Sequence, residues 1–279
     1  MKRTLLSLTA VFAIAAVLAC PALAADSAAP APAGEKLLAT AIDLVGPAKD
    51  APKELLLKAG DQIVCMGDSI TAGGGYLRDM DAVFAQQYPD LKLPKIINAG
   101  VSGNKAENCI ARFEKDVLSK KPNVLTLNIG INDVWHRMKA PHDPNVLATY
   151  KENVGKMIDQ AQAAGIKVIL LAPTVIYEDP QAEGQKRLAL YVNAMKELAA
   201  EKKCGFVDLH QMFLDALAKK PEGAGDKWLT GDGVHMRPLG NAIMALAGLR
   251  GMGVPDDKSA ATVIVPPPPR QPRKPQPQK

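Results

Sequence analysis

Five short apolar segments recur along the chain, and none of them shows a polar alternate face. They are rich in β-branched residues and lie at 62–66, 95–98, 124–129, 167–172 and 205–207. Segments with helical periodicity lie between and after them, at 77–87, 106–119, 145–164, 182–202 and 238–249. Strands that are buried on both faces of a parallel sheet have this apolar character. The alternation predicts βαβ units and one three-layer α/β domain over 35–263.

The N-terminal segment differs in composition from the body of the chain. Lys2 and Arg3 precede an apolar run over 5–18, and Ala-Leu-Ala at 22–24 places small residues at the −3 and −1 positions of a cleavage site. We therefore expect 1–24 to be a signal peptide and 25–34 to be a linker of small residues. No other stretch has the length of apolar sequence that a membrane-spanning helix needs. The expected location is the periplasm or the exterior of the cell.

Cys20 supplies a second interpretation of the same segment. The residues Val-Leu-Ala-Cys that end at Cys20 are lipoprotein-like, and processing there would leave a lipidated cysteine at the N-terminus. The proline directly after Cys20 and the better Ala-Leu-Ala site favour cleavage after Ala24.

The C-terminal segment 264–279 is basic and contains seven prolines. It has no residues from which to form a core, so we expect an extended, solvated tail. One functional interpretation is contact with an anionic cell envelope or with a partner, and the alternative is a disordered end without a role.

The formal net charge of +5 arises from the two ends of the chain. Six basic residues lie in the terminal segments, which contain no acid, so the body has 28 basic against 29 acidic residues. A near-neutral body argues against nucleic acid as a partner. Aromatic residues make up only 4% of the chain, so we do not expect stacking surfaces to dominate its binding.

The cysteines do not form a disulfide framework. After removal of the signal peptide, Cys65, Cys109 and Cys204 remain, which is an odd number. Cys65 lies within an apolar strand pattern that is typical of a buried thiol. One disulfide between two of these three cysteines remains an open alternative. No His or Cys spacing indicates a metal site.

Polar residues follow the first three predicted strands, where parallel sheets bind their ligands. Ser69 lies at a strand-to-helix junction, which places its hydroxyl at the rim of the sheet and its N–H near a helix N-terminus. Gly103 offers an unobstructed backbone N–H, and Asn132 offers an amide donor suited to an oxyanion. Considered alone, each residue has a purely structural alternative. Ser69 could cap a helix, Gly103 could form a turn, and Asn132 could cap a turn.

A fourth group lies in the loop before the last helix. Asp232 precedes His235 by three residues, so its carboxylate can reach the imidazole, fix the tautomer and stabilise the imidazolium. His142 and His210 have no carboxylate at that spacing. Trp135 and His136 follow Asn132 and are candidates for lining the substrate pocket, with plain loop structure as the alternative for His136.

Taken together and in this order, these residues resemble the four blocks of the GDSL, or SGNH, family of serine hydrolases. Ser69 matches the first block, Gly103 the second, Asn132 the third, and Asp232 with His235 the last. The first block reads Gly-Asp-Ser-Ile here, where the family has leucine in the fourth position. The resemblance implies a flavodoxin-like fold with five parallel strands and ester hydrolysis without a cofactor or metal.

The resemblance also implies roles for these residues and a substrate class. Ser69, Asp232 and His235 would be catalytic, and the N–H groups of Ser69 and Gly103 with the Asn132 amide would form the oxyanion hole. Exported members of the family often deacetylate carbohydrates, so we expect a carbohydrate acetylesterase. The alternatives are a lysophospholipase or thioesterase of the same mechanism, or a non-catalytic glycan-binding protein of the envelope.

Overall fold

The five predicted strands form one sheet in which all neighbours are parallel. The computed structural model describes residues 35–48 and 51–265. Its strands are β1 (Ile63–Gly67), β2 (Ile97–Gly100), β3 (Val124–Asn128), β4 (Lys167–Leu171) and β5 (Gly205–Val207). They lie in the order β2-β1-β3-β4-β5, which is the flavodoxin-like order. The predicted α/β class and five-stranded parallel sheet are confirmed.

The register of the central strands aligns their carboxyl ends. Gly67 at the end of β1 lies opposite Gly100 of β2 and Asn128 of β3. Every residue of β1 and β3 is buried, which explains why neither strand alternates between apolar and polar residues. The loops that follow β1, β2 and β3 therefore begin at one edge of the sheet.

Helices cover both faces of the sheet. They are α1 (Leu37–Val45), α2 (Ser69–Gly73), α3 (Gly75–Gln87), α4 (Ala106–Ala111), α5 (Phe113–Asp116), α6 (Ile131–Trp135), α7 (Pro144–Ala163), α8 (Glu183–Lys202), α9 (Leu209–Ala218), α10 (Pro238–Gly251) and α11 (Asp256–Ala261). Helices α1, α3, α9 and α10 pack together in one layer, and α4, α7 and α8 pack together in the other. This is the three-layer arrangement that the sequence predicts.

The described residues contain more helices than the five predicted segments, and one predicted helix is divided. The segment 106–119 was expected to be one helix, but it divides into α4 and α5 at Arg112, which has φ −112° and ψ 7°. Helices α2, α6, α9 and α11 have no counterpart among the predicted segments. Helix α1 has none either, although its apolar residues Leu38 and Ala41 are fully buried. Its nine residues are too short a stretch for the helical period to stand out in a generally apolar sequence.

Residues near the two ends of the described range lie side by side. Glu35 and Ile264 form an antiparallel bridge with two backbone hydrogen bonds of 2.9 and 3.0 Å. Ile264 is buried, so the folded body extends one residue past the expected boundary at 263. The expected signal peptide, the linker and the tail from residue 266 onward lie outside the described residues.

The three cysteines of the described residues are free thiols. Burial raises the pKa of Cys65 and of Cys109 to about 12, so both remain protonated at neutral pH. Over 35–48 and 51–265, no helix is long and apolar enough to cross a membrane.

Candidate active site

A chain of hydrogen bonds joins Ser69, His235 and Asp232. The Oγ atom of Ser69 lies 2.8 Å from Nε2 of His235, and Nδ1 of His235 lies 2.6 Å from Oδ2 of Asp232. A carboxylate next to Nδ1 requires the proton to be on that nitrogen, which leaves Nε2 free to accept the serine proton. The three side chains that the sequence singled out are thus within proton-transfer distance of one another.

Ser69 is placed by a tight junction between β1 and α2. Asp68 caps the helix, since its side chain accepts a hydrogen bond of 2.9 Å from the N–H of Ile70. A side chain on Gly67 would place its Cβ 2.6 Å from the carbonyl oxygen of Asn128, so only glycine fits there. Ser69 is the first residue of α2, where the N–H has no intrahelical acceptor.

The residues that carry the aspartate and histidine form a closed turn, 230–236, which we call the Asp–His turn. Its ends pair as an antiparallel bridge, and the N–H of Gly231 donates to the carbonyl of His235 at 2.8 Å. Inside it, Oδ1 of Asp232 accepts from the N–H of Val234 and of His235, at 3.1 and 2.8 Å. The aspartate therefore holds both the backbone and the ring of the histidine.

The two acids beside the histidine have opposite pKa shifts. Partial burial raises the pKa of Asp232, but hydrogen bonds from the backbone and ring of His235 and from Val234 outweigh it and lower the pKa to about 2. Burial raises the pKa of Asp68 to about 6, against the opposing effects of the Ile70 N–H and of His235. Asp232 is thus the acid that stays ionised over the whole neutral and mildly acidic range.

Gly103 and Asn132 lie on the loops after β2 and β3. Gly103 has φ +78°, a conformation that favours glycine, and a Cβ there would meet no atom within 4 Å. Its N–H has no acceptor among the described residues. The amide nitrogen of Asn132 donates to the carbonyl of Asn104 at 3.0 Å. Because an amide carries two N–H bonds, Asn132 holds the Gly103 loop with one and retains the other.

Arg112 was not identified from the sequence, yet it connects the loop after β2 to two strand ends. Its guanidinium donates to the carbonyls of Ala99 and Gly67 at 2.8 and 3.0 Å. It also donates to the side chain of Asn104 at 2.8 Å and pairs with Asp116 at 2.9 Å. It lies in a segment with ordinary helical periodicity, where no sequence signal sets it apart.

Glu178 was also missed, and it anchors the start of the Asp–His turn. Its carboxylate accepts hydrogen bonds from the N–H groups of Trp228, Leu229 and Thr230 and from the hydroxyl of Thr230, at 2.6–2.9 Å. The side chain is 2% exposed, and Lys220 lies 3.9 Å away. Glu178 is distant in sequence from the turn, so only the fold brings the two together.

The candidates Trp135 and His136, and two further residues considered with them, occupy different environments. Trp135 is half-buried at the end of α6, and the next residue, His136, is exposed. Asp133 is buried, and its carboxylate lies a long 3.4 Å from the N–H of Ala106. His210 lies outside this site, because its ring is buried against the carbonyl of Thr174.

The fold and this site define a class of serine hydrolase. The GDSL-like lipase/acylhydrolase family model matches residues 65–243, and the chain belongs to this family. Among its relatives, the acetylxylan esterase of Geobacillus stearothermophilus is 29% identical over 213 residues, which are 70% of this chain and 95% of that protein. An arylesterase of Vibrio mimicus is 25% identical over 186 residues, 65% of this chain and 82% of the relative. The protein is a carboxylic ester hydrolase.

Solved structures agree with these sequence relatives. The structure of the Geobacillus stearothermophilus acetylxylan esterase is 28% identical with a TM-score of 0.64, and the match covers 71% of this chain and 97% of that one. Another acetyl xylan esterase, AlAXEase, is 32% identical with a TM-score of 0.61, over 66% of this chain and 96% of its own. Solved catalytic mutants of the Geobacillus enzyme replace a serine, a histidine and an aspartate three positions before that histidine.

Proposed function

We propose that this protein removes acetyl groups from carbohydrate esters through an acyl-serine intermediate. The observation that carries the proposal is the hydrogen-bonded chain from Ser69 through His235 to Asp232. The two acetylxylan esterases named above support acetyl as the acyl group and a sugar as the alcohol.

In the first half of the reaction, His235 takes the proton of Ser69 while the serine oxygen attacks the ester carbonyl. The carbonyl oxygen becomes an oxyanion, and its donors are the N–H groups of Ser69 and Gly103 and the free N–H of the Asn132 amide. Asp232 stays ionised and stabilises the imidazolium, because hydrogen bonds lower its pKa to about 2. The imidazolium then gives its proton to the departing sugar oxygen, which leaves an acetyl-serine.

In the second half, water replaces the sugar. His235 takes a proton from the water, the resulting hydroxide attacks the acetyl carbonyl, and the same three donors hold the second oxyanion. Return of the proton to Ser69 releases acetate. Every proton passes between side chains of this chain, the substrate and water.

The exposure of the site favours a large alcohol. The side chains of His235 and Asp232 are 50% and 55% exposed, so the reacting atoms lie at the surface of the rim. A substrate whose bulk stays in solvent can reach such a site with a small acyl group. We also propose that the enzyme works outside the cytoplasm, as the N-terminal sequence 1–24 predicts.

The experiment compares the full chain on acetylated carbohydrates and on simple esters. Acetate release from acetylated xylan, pectin and peptidoglycan is measured beside hydrolysis of nitrophenyl esters with acyl chains of two to twelve carbons. The proposal expects release from at least one polysaccharide and a preference for the two-carbon ester. A preference for the long chains, with no acetate released from any carbohydrate, overturns it and favours the lysophospholipase or thioesterase alternative.

A further inference from the structure

An exposed tyrosine lies against the Asp–His turn. Tyr177 is 49% exposed, and among the large hydrophobic residues that the structure describes only Val265 is more exposed. Its N–H donates to the carbonyl of Gly233 at 2.8 Å, and Gly233 lies between Asp232 and His235. A Cβ on Gly233 would come within 2.6 Å of the tyrosine ring, so the ring covers the bare backbone of the turn.

Tyr177 adopts a backbone conformation that is unfavourable for its residue type. Its φ is +64°, in the left-handed region that glycine and asparagine prefer. Such strain persists only where the surroundings enforce it, and it is concentrated at functional sites. The ring of Tyr177 is half exposed to solvent, so its burial does not offset the cost of the strained backbone.

The ring of Tyr177 pairs with the ring of Trp135. Their centroids lie 5.4 Å apart with an angle of 35° between the ring planes. Trp135 ends α6, three residues after Asn132. The two rings thus join the element that carries the oxyanion donor to the turn that carries the histidine, in a chain with few aromatic residues.

We propose that Tyr177 and Trp135 form a stacking subsite for a pyranose ring of the substrate next to the reacting acetyl group. The faces of aromatic rings are electronegative and apolar, and the C–H face of a pyranose is apolar and weakly positive, so the two surfaces are complementary. The inference rests on the proposed function, because it assigns the sugar part of the same substrate. It names Tyr177 as a residue that determines specificity.

The test uses two substitutions at Tyr177 in the full chain. Tyr177→Phe keeps the ring, and Tyr177→Asn keeps a residue that tolerates positive φ but removes the aromatic ring. Each is assayed on acetylated xylotetraose and on ethyl acetate, which carries no ring. Leu190→Asn, at an exposed leucine of α8, is the matched control for loss of an apolar surface.

The subsite predicts a selective loss. Tyr177→Asn raises KM for acetylated xylotetraose by about tenfold or more and leaves kinetics on ethyl acetate unchanged, whereas Tyr177→Phe and Leu190→Asn behave as wild type. Equal losses on both substrates mean that Tyr177 only supports the turn, and no loss on either means that it binds nothing. Both results overturn the subsite.

A binding measurement separates the subsite from the proposed function. Unacetylated xylotetraose is titrated into wild type and the two Tyr177 variants by calorimetry. If wild type cleaves ethyl acetate but releases no acetate from carbohydrates, the proposed function fails. Binding that is lost in Tyr177→Asn and kept in Tyr177→Phe then still supports the subsite. Absence of binding to wild type overturns it.

Discussion

The carboxylate of Glu178 accepts hydrogen bonds from both the backbone N–H and the hydroxyl of Thr230, at 2.6 and 2.7 Å. Thr230 is the first residue of the Asp–His turn, and Met236, at the end of the turn, pairs with it. An acid from the loop after β4 therefore determines where the turn begins. The position of His235 relative to Ser69 depends on this contact, because they lie on separate elements.

Glu178→Gln is expected to lower both stability and activity. The amide has one acceptor oxygen where the carboxylate has two, so the N–H of Trp228, which donates to the second oxygen, loses its partner at a cost of about 2 kcal/mol. Thermal melting should show a fall of roughly 4–8 °C in Tm. Glu222→Gln, at an exposed loop position, is the control and should melt as wild type does. An unchanged Tm for Glu178→Gln would contradict the anchoring role.

Ser69→Ala is expected to remove nearly all activity without unfolding the protein. No acyl-enzyme can form without the hydroxyl, so kcat should fall on the order of 10³-fold or more. A fluorophosphonate probe should label wild type at Ser69, which peptide mass spectrometry locates, and should also label the control Ser119→Ala. Labelling of Ser69→Ala at another serine would show that the nucleophile lies elsewhere.

Asn132→Ala is expected to act on the transition state. The amide meets an oxygen that is charged only in the tetrahedral intermediate, so kcat should fall roughly 10²–10³-fold while KM changes little. The same amide holds the carbonyl of Asn104, and a melting curve must show that the variant remains folded. A folded variant with the kcat of wild type would exclude Asn132 from the oxyanion hole.

Asp133→Asn is expected to make stability less dependent on pH. Burial raises the pKa of Asp133 to about 7, with the Ala106 N–H and Lys105 opposing this shift. The folded state therefore keeps a proton that the unfolded state releases above about pH 4, and the free energy of unfolding falls as the pH rises from about 4 to 7. The asparagine keeps the shape without that ionisation. At pH 8 the variant should be the more stable by up to about 4 kcal/mol, and at pH 4 the two should be alike.

Urea unfolding at pH 4 and pH 8 measures this difference. Asp226→Asn, at an exposed loop position, serves as the control and should follow wild type at both pH values. A loss of stability for Asp133→Asn at pH 8 would instead show that the ionised carboxylate braces the loop, despite its long 3.4 Å contact with Ala106.

The strands and the four motif positions could be predicted because their signals are local. All five strands lie within two residues of the apolar segments that predicted them, since burial on both faces excludes polar residues. Ser69, Gly103 and Asn132 lie within four residues of strand ends, and a parallel sheet brings such positions to one edge. Asp232 and His235 share one short turn, where their spacing alone permits contact.

The supporting residues could not be predicted because their partners are distant in sequence. Arg112 looks like any helical arginine until its carbonyl acceptors on β1 and β2 are known, and the break that it makes between α4 and α5 has no glycine or proline to mark it. Glu178 contacts backbone groups some fifty residues away. Tyr177 has a positive φ, which nothing about a tyrosine in the sequence predicts.

The bridge between Glu35 and Ile264 makes the folded body nearly a closed loop of polypeptide. Two backbone hydrogen bonds hold these residues side by side, so a short peptide could join them without crossing the sheet. The loop 221–227 is largely exposed and lies between α9 and the Asp–His turn. A circular permutant that opens there and closes at the bridge would keep every strand in place. Its new ends would lie just before the turn that carries the histidine. If the permutant is active, the spatial arrangement of the elements does not depend on their order along the chain.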